Sequence, residues 1–171
     1  MSTPVRPKGE FRSAQHEGTP VTRTAEVITL HGRCVVPGRA EGEALVTHQQ
    51  ISGWGGIDSR TGTIVETRHE LRGISFAGKV LVFPGAKGSS GWSNAFHLTR
   101  TLGVAPAAML FNQMTTKIAL GAVVTRAPAL TDFDQDPLDH IQTGDWVIVD
   151  ADRGVVEIHK TRPTHKQHQG D

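Results

Sequence analysis

In the run KVLVFPGAKGSSGWSNAFHL, residues 79–98, a loop of glycines and serines separates an apolar stretch from an amphipathic one. Gly85, Gly88 and Gly91 remove side-chain bulk, so that backbone can approach a ligand closely, while Ser89, Ser90 and Ser93 bring hydroxyls. Lys87 adds a cation. A carboxylate or phosphate suits such a place, because a helix that follows a strand points its N–H groups and positive dipole end toward the loop between them. A plain strand-to-helix connection made of small residues is the competing reading. The spacing is not that of a P-loop, which needs Gly, four residues, Gly and then Lys-Ser or Lys-Thr. A serine nucleophile would need a histidine base, and the nearby His97 falls inside the expected helix, where an ordinary surface or packed histidine is the simpler account. Another use of the loop is proton abstraction from carbon, with a serine alkoxide as base stabilised by the helix N-terminus and nearby N–H groups.

The elements needed to hold this loop are legible around it. Lys79 to Phe83 reads as a buried strand, and SNAFHLTRTL places Ala95, Phe96, Leu98, Thr99 and Leu102 near helical spacing, with Ser93 or Asn94 as its cap. APAAMLF, from Ala105 to Phe111, is short and wholly apolar, and with Lys79–Phe83 it makes a βαβ unit. TTKIALGAVVTRA leans to helix through Ile118, Ala119, Ala122 and Val123. Upstream, AEVITLHGRCVV and EALVTH read as strands, and WGGIDSRTGTIVE as a turn and a short strand. Asp58 there suits turn capping, whereas Trp54 is either an aromatic wall at the mouth of a site or a buried anchor under the turn. GDWVIVDADRGVVEIHK is a hairpin turning at Asp152–Gly154. The expected fold class is therefore α/β, with a β-rich first half, a small βαβ layer and a C-terminal β-hairpin.

Composition bounds what such a domain can do. A chain of 171 residues with 37 % hydrophobic content fills one core. Residues 1–24 show no period and read as a mobile arm, residues 25–159 as the folded unit, and residues 160–171 as a disordered tail. Eighteen Lys and Arg against seventeen Asp and Glu create no field that would draw nucleic acid or an anionic membrane. The one cysteine, Cys34, forms no internal disulfide and cannot by itself ligate an iron–sulfur cluster, and the nine histidines form no metal signature. No window reaches the roughly 20 apolar residues of a membrane span, and the N-terminus has no apolar signal core, so a cytoplasmic location is expected.

The motifs PG.AEGEALV, WGG.D..TG, AGKVLV.P..KGSSG and LGA.V, in that order between Gly32 and Ile158, resemble the small subunit, or swivelling domain, of the aconitase X family (dots stand for other residues). The resemblance implies a swivelling β/β/α domain that closes over a larger catalytic subunit. That partner carries the iron or iron–sulfur centre, and no metal is bound by this chain. The family's hydro-lyases dehydrate small hydroxy acids, among them cis-3-hydroxy-L-proline, the favoured substrate here, and mevalonate 5-phosphate, the alternative. Gly88-Ser89-Ser90 matches the GSS of the aconitase swivelling domain, which implies that Ser89 is the base and that Ser90 holds a substrate carboxylate, with Gly88, Gly91, Lys87 and Trp54 as further binding candidates. Aconitase follows GSS with an arginine that clamps a carboxylate. Gly91 stands in that place here, which speaks for an acid smaller than a tricarboxylate. A non-catalytic swivelling module, like the phosphohistidine domains that also end in GD.V.VD, is the rival reading, but such a module needs a histidine where this loop carries serines.

Overall fold

A computed structural model describes residues 26–160; the arm and all but the first residue of the tail lie outside them. The run AEVITLHGRCVV forms two strands, β1 (Val27–His31) and β2 (Arg33–Val36), with only Gly32 between them. They are followed by β3 (Arg39–Val46), the short strands β4 (Ile51–Ser52), β5 (Ile57–Asp58) and β6 (Thr63–Ile64), then β7 (Val80–Phe83) and β8 (Ala86–Lys87). Next come α1 (Trp92–Thr101), β9 (Ala108–Phe111), α2 (Thr116–Thr125), β10 (Ala129–Thr131), the single turn α3 (Pro137–His140), and the hairpin β11 (Trp146–Asp150) and β12 (Val155–His159).

Eight strands join in the order β1-β12-β11-β3-β7-β9-β10-β2. The two margins of this sheet are thus consecutive in sequence, joined through one residue, and the sheet has to fold over on itself. β3 makes the passage between the halves: Arg39–Glu43 pair antiparallel with β11, and Ala44–Val46 pair parallel with β7. Gly32 makes the corner. Its N–H donates to the Gly154 carbonyl at 2.9 Å, and a Cβ there would sit 2.8 Å from the Phe133 ring.

The side-chain period of 2 sorts the central strands between two cores. Val80, Val82, Ala108, Leu110 and Leu130 face Leu30, Val147, Val149, Val156 and Ile158 of the other half of the sheet. Leu81, Phe83, Met109, Phe111 and Ala129 face Trp92, Phe96, Ile118 and Ala122 of the helices. Layers of sheet, sheet and helices result, the β/β/α arrangement expected. Strands buried on both faces read as unbroken apolar runs for this reason.

Three local expectations need correction. α1 starts at Trp92 with Gly91 as its cap residue and no side-chain cap, so Ser93 and Asn94 lie inside the helix; the Ser93 hydroxyl donates back to the Ser90 carbonyl at 3.3 Å. The strand read from Ala105 begins at Ala108, with Ala105–Ala107 forming its approach, held where the Ala107 N–H donates to the Lys79 carbonyl at 2.8 Å. Lys160, read as the start of the tail, is tied down: its backbone N–H donates to the Glu26 carbonyl at 3.1 Å, and its ammonium donates to the His140 carbonyl and to Asp145 Oδ2. The helix favoured for TTKIALGAVVTRA is α2, and Asp58 caps its turn as expected, accepting from the Arg60 N–H at 2.9 Å and from the Thr61 hydroxyl at 3.1 Å.

Two contacts fix the glycine–serine loop between β8 and α1. Trp92 is fully buried, stacks on Phe96 with ring centroids 4.1 Å apart, and donates its indole N–H to the Ile51 carbonyl at 3.0 Å. It fits only because Gly53 and Gly121 face it. A Cβ on Gly53 would lie 2.5 Å from Trp92 Cα, and one on Gly121 would overlap the indole edge. At the other end of the loop, Lys87 Nζ meets Glu66 Oε1 at 2.6 Å. That hydrogen bond, more than any other contact, holds the Glu66 carboxyl below the ordinary carboxylate range, although burial of the group works against it.

Gly121→Ala is therefore expected to destabilise the domain by about 1–3 kcal/mol, as overpacking does, lowering Tm by several degrees in a thermal melt. An unchanged Tm would mean that α1 and α2 are not held apart by this contact. Because its folded pKa is depressed, Glu66 contributes stability that is complete above its unfolded value near 4.3 and is lost as pH falls through the lower folded value. Glu66→Gln should then lower the urea midpoint at pH 7, with the gap to wild type closing as the pH is taken below about 4. A gap independent of pH would show that the ionised carboxylate is not what matters.

Candidate functional site

The loop lies at the carboxyl end of β7, past the short parallel pair of β4 with β8, and leads directly into α1. β7, β9 and β10 run parallel, so α1 and α2, which follow β7 and β9, direct their N-termini to the same end of the sheet. Neither helix carries an acidic residue in its first turn, and neither has a side-chain cap bond. Their positive ends are thus left open to a ligand anion.

Within this frame Gly88 takes φ +87, a left-handed conformation that glycine adopts without strain, and nothing lies within 4 Å of where its Cβ would be. Ser89 and Ser90 are exposed. Ser89 Oγ accepts from the Gly91 N–H at 3.3 Å, and its carbonyl accepts from the Trp92 N–H at 3.3 Å. Among the described residues, the N–H groups of Ser89 and Ser90 find no protein acceptor, and no histidine hydrogen-bonds to Ser89. His97 is exposed on α1. The loop can therefore offer bare amides and a hydroxyl to an anion, but it is not built as a serine–histidine nucleophile.

The other candidates divide. Gly91 lies under Trp54: a Cβ at Gly91 would be 3.6 Å from Trp54 Cβ and 3.4 Å from Ser89 Oγ. Trp54 is 72 % exposed, which removes the buried-anchor reading and leaves an aromatic wall beside the loop. Lys87 is engaged with Glu66 on the approach to the loop. The cation that reaches the loop from outside is Lys117, on the first turn of α2, whose Nζ donates to the Gly88 carbonyl at 2.5 Å. Ser90, Ser93, Thr115, Thr116, Lys117 and Leu120 line a depression of about 380 Å³ between the two helix starts. The sequence reading did not single out Lys117 or Trp92. A glycine in the interior of an otherwise good helix, Gly121, is the signal that marked a close approach there.

Among the described residues, no three His, Cys, Asp or Glu come together to hold a metal ion. Cys34, the chain's one cysteine, is exposed on β2 at a margin of the sheet. These side chains do not fit an iron–sulfur centre. No helix among the described residues is long and apolar enough to cross a membrane.

Comparison with known proteins agrees with this architecture. The family profile of the aconitase X swivel domain matches residues 29–158. The phosphomevalonate dehydratase small subunit of Archaeoglobus fulgidus is 46 % identical over 126 residues, 74 % of this chain and 95 % of the relative. That of Methanocella arvoryzae is 40 % identical over 131 residues, 77 % of this chain and 99 % of the relative. The crystal structure of Thermococcus kodakaraensis aconitase X in its holo form superposes with a TM-score of 0.73 at 38 % identity, covering 78 % of this chain and 99 % of that one. The chain belongs to the aconitase X swivel domain family, as the small subunit of an aconitase-X-type dehydratase.

Proposed function

We propose that the dehydratase acts on phosphomevalonate, with Ser89 as the base. The observation that carries the role of Ser89 is its place: an exposed hydroxyl with unpaired amides beside it, at the open positive ends of two helices. The substrate rests on the relatives, which carry the name phosphomevalonate dehydratase small subunit at 36–46 % identity. The sequence reading favoured cis-3-hydroxy-L-proline. Both compounds are β-hydroxy acids, and the same elimination serves either, so the serine loop does not choose between them. A phosphate-bearing acid suits the relatives' name and the cationic surroundings of the loop better.

In the reaction, Ser89 Oγ, as alkoxide, takes the proton α to the substrate carboxylate. The C–H electron pair becomes the new double bond, and the C–O bond to the β-hydroxyl breaks. Two helix N-termini and the adjacent N–H groups lower the cost of negative charge on Oγ. Ser90, one residue on and equally exposed, holds the carboxylate, and Gly91 leaves the space that an arginine side chain would fill. Trp54 walls the loop from solvent on one side. An iron or iron–sulfur centre on the large subunit would supply Lewis-acid chemistry for the departing hydroxyl; since this chain's residues do not fit one, we assign it no step here.

The experiment is reconstitution with the large subunit and assay of water elimination from both compounds. Turnover of phosphomevalonate well above that of cis-3-hydroxy-L-proline is expected, and the reverse preference would refute the substrate assignment. Ser89→Ala should lower kcat by about 10²–10⁴-fold, the range of general base catalysis, with Tm and assembly with the large subunit nearly unchanged. Ser90→Ala should raise KM more than it lowers kcat. Turnover by Ser89→Ala close to wild type would return the loop to an ordinary strand-to-helix turn.

A further inference from the structure

We propose that Lys117 is a positioning residue for Ser89, a latch from α2 that fixes the plane of the Gly88–Ser89 peptide. The proposal rests on the reading of Ser89 as the base. Its first support is the hydrogen-bond pattern of the loop. The bonds made by Ser89 and Ser90 run within the loop or to the start of α1, from Gly91, Trp92 and Ser93. Among the described residues, the bond from Lys117 Nζ to the Gly88 carbonyl is the one that ties residues 88–90 to a different element.

The second support is what that bond fixes. The carbonyl oxygen of Gly88 and the N–H of Ser89 belong to one planar peptide unit, and no described peptide bond is cis. Carbonyl and N–H then point in opposite directions, so the ammonium that grips the oxygen turns the Ser89 N–H away from α2, toward the open side of the loop. It also polarises the peptide, which makes that N–H a stronger donor to a developing negative charge. Gly88 has φ +87 and open space about its Cα, so the peptide could rotate about this residue if nothing held it.

The third support is that Lys117 breaks a local rule. A lysine in the first turn of a helix faces the positive end of the dipole, where cations are disfavoured. Among the described residues, no carboxylate lies within ion-pair distance of it to compensate; Glu66, which serves the loop's other lysine, pairs with Lys87. Departures from local preference without a local compensation are expected where function requires them. The gain at Lys117 is a defined orientation for the residue after Gly88, and its partner on the loop is a neutral carbonyl, which leaves the positive charge in place beside the substrate depression lined by Ser90 and Lys117.

Two measurements decide the matter. In the full 171-residue chain, amide order parameters of Ser89 and Ser90 should fall in Lys117→Met from the rigid range near about 0.85 toward the flexible range below about 0.6, with those of β7 and β9 unchanged; no substrate or partner is needed. In the two-chain enzyme, Lys117→Met should lower kcat by about 10–100-fold, the size expected when a reacting group is misplaced, with KM changed far less and Tm near wild type. Lys117→Arg, which still donates to a carbonyl, should recover most of the loss. In a Ser89→Ala background the same change should add no further loss, because a residue that acts through Ser89 has nothing left to position. Unchanged order parameters, or equal losses in both backgrounds, would overturn the latch. Should the wild-type complex turn over neither hydroxy acid, the substrate assignment fails, and the order parameters still decide the latch.

Discussion

One buried side chain carries most of the local order at the site. Trp92 follows Gly88-Ser89-Ser90-Gly91 directly, and its indole is locked from several directions: by Phe96 beside it, by the Ile51 carbonyl at its N–H, and by two glycines on the elements facing it. A close-packed interior leaves such a ring no alternative position. Because the ring cannot move, the N-terminus of α1 cannot move, and the serines one turn of backbone away are presented at a fixed place while remaining exposed. The loop thus combines a rigid exit with a glycine, Gly88, on its entry side. Rigid scaffolding beneath an adaptable polar loop is the arrangement that ligand-reading loops require.

The helices owe their placement to the middle layer. β7, β9 and β10 are buried on both faces, and their alternate residues serve the two cores in turn. Parallel pairing of β7 with β9 sets α1 and α2 side by side with their N-termini at one end, and Gly121 lets them approach closely enough for Trp92 to fit between. Two helix dipoles then converge on a loop of unpaired amides. The electrostatic character of the site is therefore a product of sheet topology rather than of net charge, which is formally +1 for the chain. For a domain that meets its substrate together with a second subunit, this has a clear use: half of a site is kept polar and open, held ready by backbone rather than by long flexible side chains that would have to be ordered on binding.

Much of this was legible in the chain itself, and the physical reason is locality. Short apolar runs bounded by glycine, the helical spacing of Ala95, Phe96 and Thr99, and the turn chemistry of Asp58 and Gly154 are properties of neighbouring residues, and they specified strand, loop, helix and hairpin in the right order. The motif order around Gly88-Ser89-Ser90 carried the family. What the chain did not disclose is non-local. That β1 and β2 part at Gly32 to opposite margins of one sheet depends on Gly154, Thr131 and Phe133, about a hundred residues away. That Lys87 is committed to Glu66 while Lys117 reaches the loop depends on how β8 and α2 pack, which spacing along the sequence does not encode. Trp54 could be read as buried or exposed until the turn it sits on was placed at the surface beside Gly91. The sequence by itself determined which groups are chemically available, because residue type and local conformation decide that. Only the tertiary structure decided which of them face one another, because a hydrogen bond or an ion pair is made by distance in space, and the packing of the two cores sets that distance.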